Sequence, residues 1–120
     1  MNWLAVAAGG ALGSLARFAL GLAFPVRGFP YVTFGINLAG SFFMGLLVGY
    51  FLARADMSSA LRAGLLSGLL GGFTTFSAFS IEVVALLQEQ HYAKAVLYAG
   101  GSVLLGVAAA ALGLWLARTV

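Results

Sequence analysis

The stretch Gly71-Gly72-Phe73-Thr74-Thr75-Phe76-Ser77-Ala78-Phe79-Ser80 decides how the chain is read. It places two adjacent glycines, two threonines and two phenylalanines three residues apart inside a segment otherwise apolar enough to cross a bilayer. In hydrocarbon a helix is interrupted only where something else satisfies the freed backbone groups: a neighbouring helix, a water-filled cavity or an ion. The sequence therefore predicts a break in mid-membrane, opening at Gly71 through Thr75, and a candidate ion or substrate site around it. Carbonyls freed at that depth suit a hard monovalent cation such as Na⁺. A half-helix restarting near Thr75 would aim its positive N-terminal end at the same place.

Composition sets the class. Of 120 residues, 62% are hydrophobic and 8% charged, where a soluble domain carries about 25% charged residues. That leaves too little to cover a water-facing surface, so an integral membrane protein is expected, all-helical and with lipid as its solvent. No basic, cleavable leader precedes Trp3, which is read as mature structure. With no cysteine, disulfides, thiolate metal sites and cysteine nucleophiles are excluded. A net charge of +3, dispersed along the chain, makes no nucleic-acid footprint.

Hydropathy divides the chain into four spans: Trp3 to Phe24, Tyr31 to Ala53, Ala60 to Gln88 with the break in its middle, and Lys94 to Ala117. Each approaches the ~20 residues that cross ~30 Å of hydrocarbon. Short connections imply one antiparallel four-span domain over residues 1–120. Small or polar residues recur every fourth position: Gly9, Gly13, Arg17 and Gly21; Asn37, Ser41, Gly45 and Gly49; Gly64, Gly68 and Gly72; Tyr98, Ser102, Gly106 and Ala110. Such stripes let helix backbones approach closely, which explains the glycines as packing. Packing explains Asn37, Ser41, Tyr98 and Ser102 less well, because each puts a hydrogen-bonding group on the same face.

Basic residues normally mark the cytoplasmic side. Here Arg54, Arg62 and Arg118 fall at one end, and Arg27 and Lys94 at the other. The ends nearly tie. Either the bias is small in a short protein, or copies insert in both directions and pair antiparallel. Four spans enclose little cavity, which favours a dimer on size alone.

Two ionisable residues sit well inside the spans, Arg17 and Glu82. Each costs roughly 2.5–3.5 kcal/mol on insertion scales unless paired or hydrated. Structural pairing and a place in a hydrated vestibule are both open to them. Phe76 and Phe79 share a face of the half-helix after the break. Aromatic rings have positive edges, so edges turned toward a pore touch an anion. His91 is a solvated turn residue with no second metal ligand near it. Gly9-Gly10-Ala11-Leu12-Gly13 lacks the strand a nucleotide loop needs, and no nucleophile–base set argues for an enzyme.

Three motifs in order now carry a resemblance over essentially the whole chain. They are Gly9-Gly10-Ala11-Leu12-Gly13 with Arg17-Phe18, then Thr33-Phe34-Gly35-Ile36-Asn37-Leu38-Ala39-Gly40-Ser41-Phe42, then Gly71 through Ser80. The sequence resembles the Fluc (CrcB) family of fluoride ion channels, departing from its third-span pattern only at Ala78, where threonine is usual. The resemblance implies a fluoride-selective channel for passive efflux in the inner (plasma) membrane. It also implies an antiparallel dual-topology homodimer with two pores. By the same likeness, Gly71 and Thr74 would offer backbone carbonyls to a central structural Na⁺. Asn37, Phe76 and Phe79 would meet fluoride in the pore. Ser77, Ser80, Tyr98 and Ser102 would extend a polar track, with Arg17 and Glu82 toward the vestibules.

Two rival classes are separable on residues. A small four-span multidrug transporter is expected to use a carboxylate in its first span, where this chain has Arg17. A structural, holin-like oligomer would explain the glycine stripes and leave the clustered polar groups without a purpose.

Overall fold

The computed structural model describes residues 1–119 as helices joined by short turns. Helix α1 is Asn2–Ala23 and α2 is Tyr31–Leu52. The third span is composite. Its first arm, α3, opens as α-helix at Ser59–Arg62, continues as π-helix at Ala63–Leu70 and closes with one α turn at Gly71–Phe73. Its second arm, α4, is Phe76–Gln88, and α5 is Tyr92–Thr119. Among the described residues four segments, counting Ser59–Gln88 as one, are long and apolar enough to cross a membrane. Each lies within a few residues of the limits that hydropathy predicts.

Pro25 and Pro30 bound the first turn, since neither donates to a helix ladder. Gly28 takes φ of 76° there, a left-handed conformation that glycine adopts freely. Ser58 caps α3 by accepting the Leu61 N–H at 3.0 Å, a bond that satisfies one of the helix's orphan donors.

The helices form two tight pairs, α1 with α3 and α2 with α5. The glycine stripes sort into these pairs. A Cβ on Gly9 or Gly13 would collide with the backbone of Gly64 or Leu69, and one on Gly72 would stand 2.7 Å from the Gly10 carbonyl oxygen. Across the other pair, Gly45 lies against the Ala110 carbonyl and Gly113 against that of Phe42. The stripes are thus the seams of the two pairs, and backbones meet there because no side chain stands between them.

The double glycine therefore does not unwind the span. Gly71 is helical (φ −62°, ψ −38°), and Gly72 serves the close approach of α3 to α1. The break occupies only the last two residues of the expected Gly71–Thr75 opening, and the helix restarts where the sequence places it. Thr74 (φ −83°, ψ 155°) and Thr75 (φ −149°, ψ 120°) are extended, and α4 begins at once after them.

The chain spans 52 × 30 × 20 Å, and its thinnest dimension is about two helix diameters. A slab this thin has little interior. Its buried apolar side chains are Ile36, Phe51, Leu70, Leu86, Ala95 and Tyr98. The rest of the apolar surface is presented outward, to lipid or to another protein surface.

The seams can be tested by overpacking. Gly45→Leu should lower stability in detergent by about 1–3 kcal/mol or more, because its neighbour is backbone that cannot swing aside. Gly21→Leu, where nothing lies within 4 Å of the added Cβ, should stay within about 0.5 kcal/mol of wild type. Thermal denaturation followed by size-exclusion chromatography compares the two.

Candidate functional site: the broken span

The break exposes backbone groups at membrane depth, and α2 meets them with one side chain. Asn37 Nδ2 donates to the Thr75 carbonyl at 2.9 Å, and Asn37 Oδ1 accepts the Thr75 N–H at 2.8 Å. A carboxamide offers one acceptor and two donors on a planar fork, so a single asparagine reproduces both bonds of a strand neighbour. One Nδ2 hydrogen is left over for another acceptor.

Thr75 is also the N-cap of α4. Its Oγ1 accepts the Ala78 N–H at 3.2 Å and lies 3.4 Å from Ser77 Oγ. Thr74 closes the preceding arm, its N–H and its Oγ1 both donating to the Leu70 carbonyl at 3.0 Å. Arg17 reaches across from α1 and donates from Nε to the Gly72 carbonyl at 3.2 Å. A cation placed on the last carbonyls of a helix suits the negative end of its dipole.

Diverting two N–H groups has a consequence for two carbonyls. In an unbroken helix the Thr75 and Ala78 N–H groups would bond to the carbonyls four residues back, those of Gly71 and Thr74. Here the Asn37 and Thr75 side chains take these donors instead. Gly71 and Thr74 thus carry carbonyl oxygens released from the helix ladder.

Beside the break runs an open cleft of about 350 Å³. Asn37 and Ser41 line it from α2, Thr74 and Thr75 from the break, Phe76 and Phe79 from α4, and Ser102 from α5. The Phe76 ring is 78% exposed, and its centroid lies 5.6 Å from that of Phe79. Ser102 Oγ is buried with no hydrogen-bond partner among the described residues. An uncovered groove carrying amide and hydroxyl groups is costly in hydrocarbon, so this face calls for a polar or protein neighbour.

The other sequence candidates stand apart from the cleft wall. Ser80 Oγ donates back to the Phe76 carbonyl at 2.9 Å, within its own helix. Tyr98 is fully buried behind Phe79, with ring centroids 5.0 Å apart, and Phe29 meets its other side edge-on at 5.4 Å. Its hydroxyl donates to Glu82 Oε1 at 3.2 Å, while Thr33 Oγ1 donates to Oε2 at 3.1 Å. The intramembrane carboxylate therefore has a hydroxyl donor on each oxygen, one from α2 and one from α5. Sequence reasoning left Thr33 out of this cluster. Its position four residues before Asn37, on the same helix face, was the available signal.

A multi-pass membrane protein, one of whose spans is broken and held by a polar clasp, is the class that fold and site define. Residues 4–114 match the family model described as CrcB-like protein, Camphor Resistance (CrcB). A protein of Hyphomonas neptunium named fluoride-specific ion channel FluC is 49% identical, the match covering 99% of this chain and 97% of that one. Proteins of the same name from Caulobacter vibrioides (47% identical, 98% and 95% covered) and Nitrobacter winogradskyi (41%, 100% of each) are similar over the same extent. The chain belongs to the CrcB family, and with its four spans it is a multi-pass protein of the inner membrane. The relatives' name describes channels, a non-enzymatic function.

Asn37→Leu keeps the volume at this position and removes both bonds to Thr75. Each backbone group left unpaired should cost about 1–3 kcal/mol. Hydrogen–deuterium exchange of peptides spanning residues 73–77 in micelles should rise sharply in that variant and stay near wild type in Ser80→Ala.

Proposed function

We propose that this chain is a fluoride-selective ion channel that lets fluoride leave the cytoplasm passively. The observation that carries the reading is the cleft at Thr74–Thr75. There, amide and hydroxyl groups and two aromatic rings converge beside the positive end of α4, in a span otherwise apolar. The names of the relatives agree with it. Fluoride is small and holds water strongly. A pore for it must replace that hydration with several weak donors, without binding so tightly that the ion stalls.

The chain's own residues divide that task. The spare Nδ2 hydrogen of Asn37 is a donor at the cleft wall, and the unpartnered Ser102 hydroxyl is buried in the wall behind it. The exposed Phe76 ring and Phe79 beside it offer C–H edges. Ser77 and Ser80 stand close by on α4, and Tyr98 backs Phe79. Arg17 raises the local concentration of anions from its place near the end of α3, and Glu82 marks the other side of the aromatic pair.

The polar cleft needs a cover, and we assign that role to a second copy of the chain inserted antiparallel. The near-equal basic residues at the two ends permit it. Two such clefts, one per copy, give two pores. Gly71 and Thr74 fit a structural Na⁺ in this arrangement. Their carbonyls are released from the ladder, and a pair from each copy makes four hard oxygen donors of the type such an ion takes. When bound, the cation lowers the cost of bringing an anion into low dielectric.

A decisive substitution is Phe76→Ile. It keeps an apolar side chain at an exposed position and removes the ring edges. In proteoliposomes followed with a fluoride electrode, efflux should fall to the level of protein-free vesicles. The protein should still elute as the wild-type assembly. Undiminished flux would remove Phe76 from the pathway.

A further inference from the structure

A second cleft lies between α1 and α2, which touch only lightly. It measures about 360 Å³ and is almost purely apolar, with Leu20 and Phe24 on one wall, Val32, Gly35 and Ala39 on the other, and Phe73 behind. It belongs to neither helix pair, and it is not the polar cleft. On α2 the polar cleft takes residues 37, 40, 41 and 44, and the apolar one takes 32, 35, 36 and 39. At about 100° per residue, the two sets point roughly 140° apart around the helix. A partner that covers the first cleft therefore leaves the second facing the bilayer.

The mouth of the apolar cleft is basic. Phe24 and the exposed Tyr31 flank the turn that joins α1 to α2, and Arg27 is the exposed centre of that turn. The Lys94 ammonium is drawn against the same turn, 3.8 Å from where a Cβ on Gly28 would stand. At this end Glu89 is engaged with His91 at 3.6 Å, and Glu82 is held by Thr33 and Tyr98. Among the described residues no carboxylate lies within ion-pair distance of either cation. An apolar slot that opens at one end on two basic groups, with aromatic rings at headgroup level, has the form of an anionic lipid.

We propose that the α1–α2 cleft is a binding site for an anionic phospholipid, with one acyl chain along Gly35 and Ala39 and the phosphate on Arg27 and Lys94. Gly35 makes the slot. Nothing lies within 4 Å of a Cβ added there, so a side chain at that position fills the cleft without striking the protein. The proposal draws on the proposed dimer only to leave this face free for lipid.

Spin-labelled phosphatidylglycerol and phosphatidylcholine, in vesicles holding the full-length protein, provide the test. The motionally restricted component of the spectrum counts lipid held by the protein. Wild type should prefer phosphatidylglycerol by roughly thirtyfold, the factor expected of two basic residues acting on an anionic headgroup. The double variant Arg27→Gln, Lys94→Gln should bring the two lipids near parity. Gly35→Leu should reduce the restricted component for both lipids while size-exclusion chromatography shows the wild-type assembly. A preference that survives the double variant would overturn the site. So would a restricted component unchanged by Gly35→Leu. If Gly35→Leu instead breaks the assembly into smaller units, the cleft is a protein interface and the lipid assignment fails. None of these readouts involves fluoride, so failure here is distinct from failure of the channel reading.

Discussion

Backbone in hydrocarbon must bond to something, and this structure turns on how two extended residues meet that demand. Thr74 and Thr75 interrupt a span at membrane depth, where each unsatisfied group costs several kcal/mol. The Asn37 carboxamide takes both polar groups of Thr75, and the Thr75 hydroxyl takes the first spare donor of α4. Without that pair of side chains the cheaper state is a continuous helix. With them, the break is a fixed feature whose geometry α2 dictates. The Gly71 and Thr74 carbonyls follow from the same bonds, since the donors that would have reached them are occupied.

The rest of the architecture serves that joint. Glycine seams press α1 onto α3 and α2 onto α5, and Arg17 ties the first pair to the carbonyl end of α3. Glu82 gathers Thr33 and Tyr98, which joins α2, α4 and α5 just beyond the aromatic pair. Tyr98 thereby supports Phe79 from behind and is itself sealed from the cleft. The two clefts differ in chemistry because α2 presents opposite faces to them. Its polar face meets the break, and its small apolar face opens outward.

Much of this was legible beforehand, for physical reasons. Spans are set by hydropathy and length, so their limits fall within a few residues of expectation. The four-residue stripes foretell seams, though not which helix meets which. Pairing depends on tertiary packing, which a single strip of sequence does not encode. The break is shorter than the expected Gly71–Thr75 opening for a related reason. Gly71-Gly72 has the propensity to unwind, but close approach to Gly10 makes use of the same missing side chains. The unwinding passes to Thr74 and Thr75, whose hydroxyls cap both helix ends. The family resemblance casts Asn37 as a donor to an ion. Its first duty, the clasp on Thr75, involves residues 38 positions apart and has no local signature. The fate of Glu82 was likewise hidden, because its partners come from two other helices.

If the joint at Thr74–Thr75 is where a halide sheds its water, the purified protein should tell halides apart without any help. The direct measurement is anion release from vesicles loaded with equal fluoride and chloride, each followed by its own electrode after potassium ionophore is added. The account predicts that fluoride empties from every vesicle holding protein while chloride stays inside. Release of both ions alike, or of neither, would contradict it.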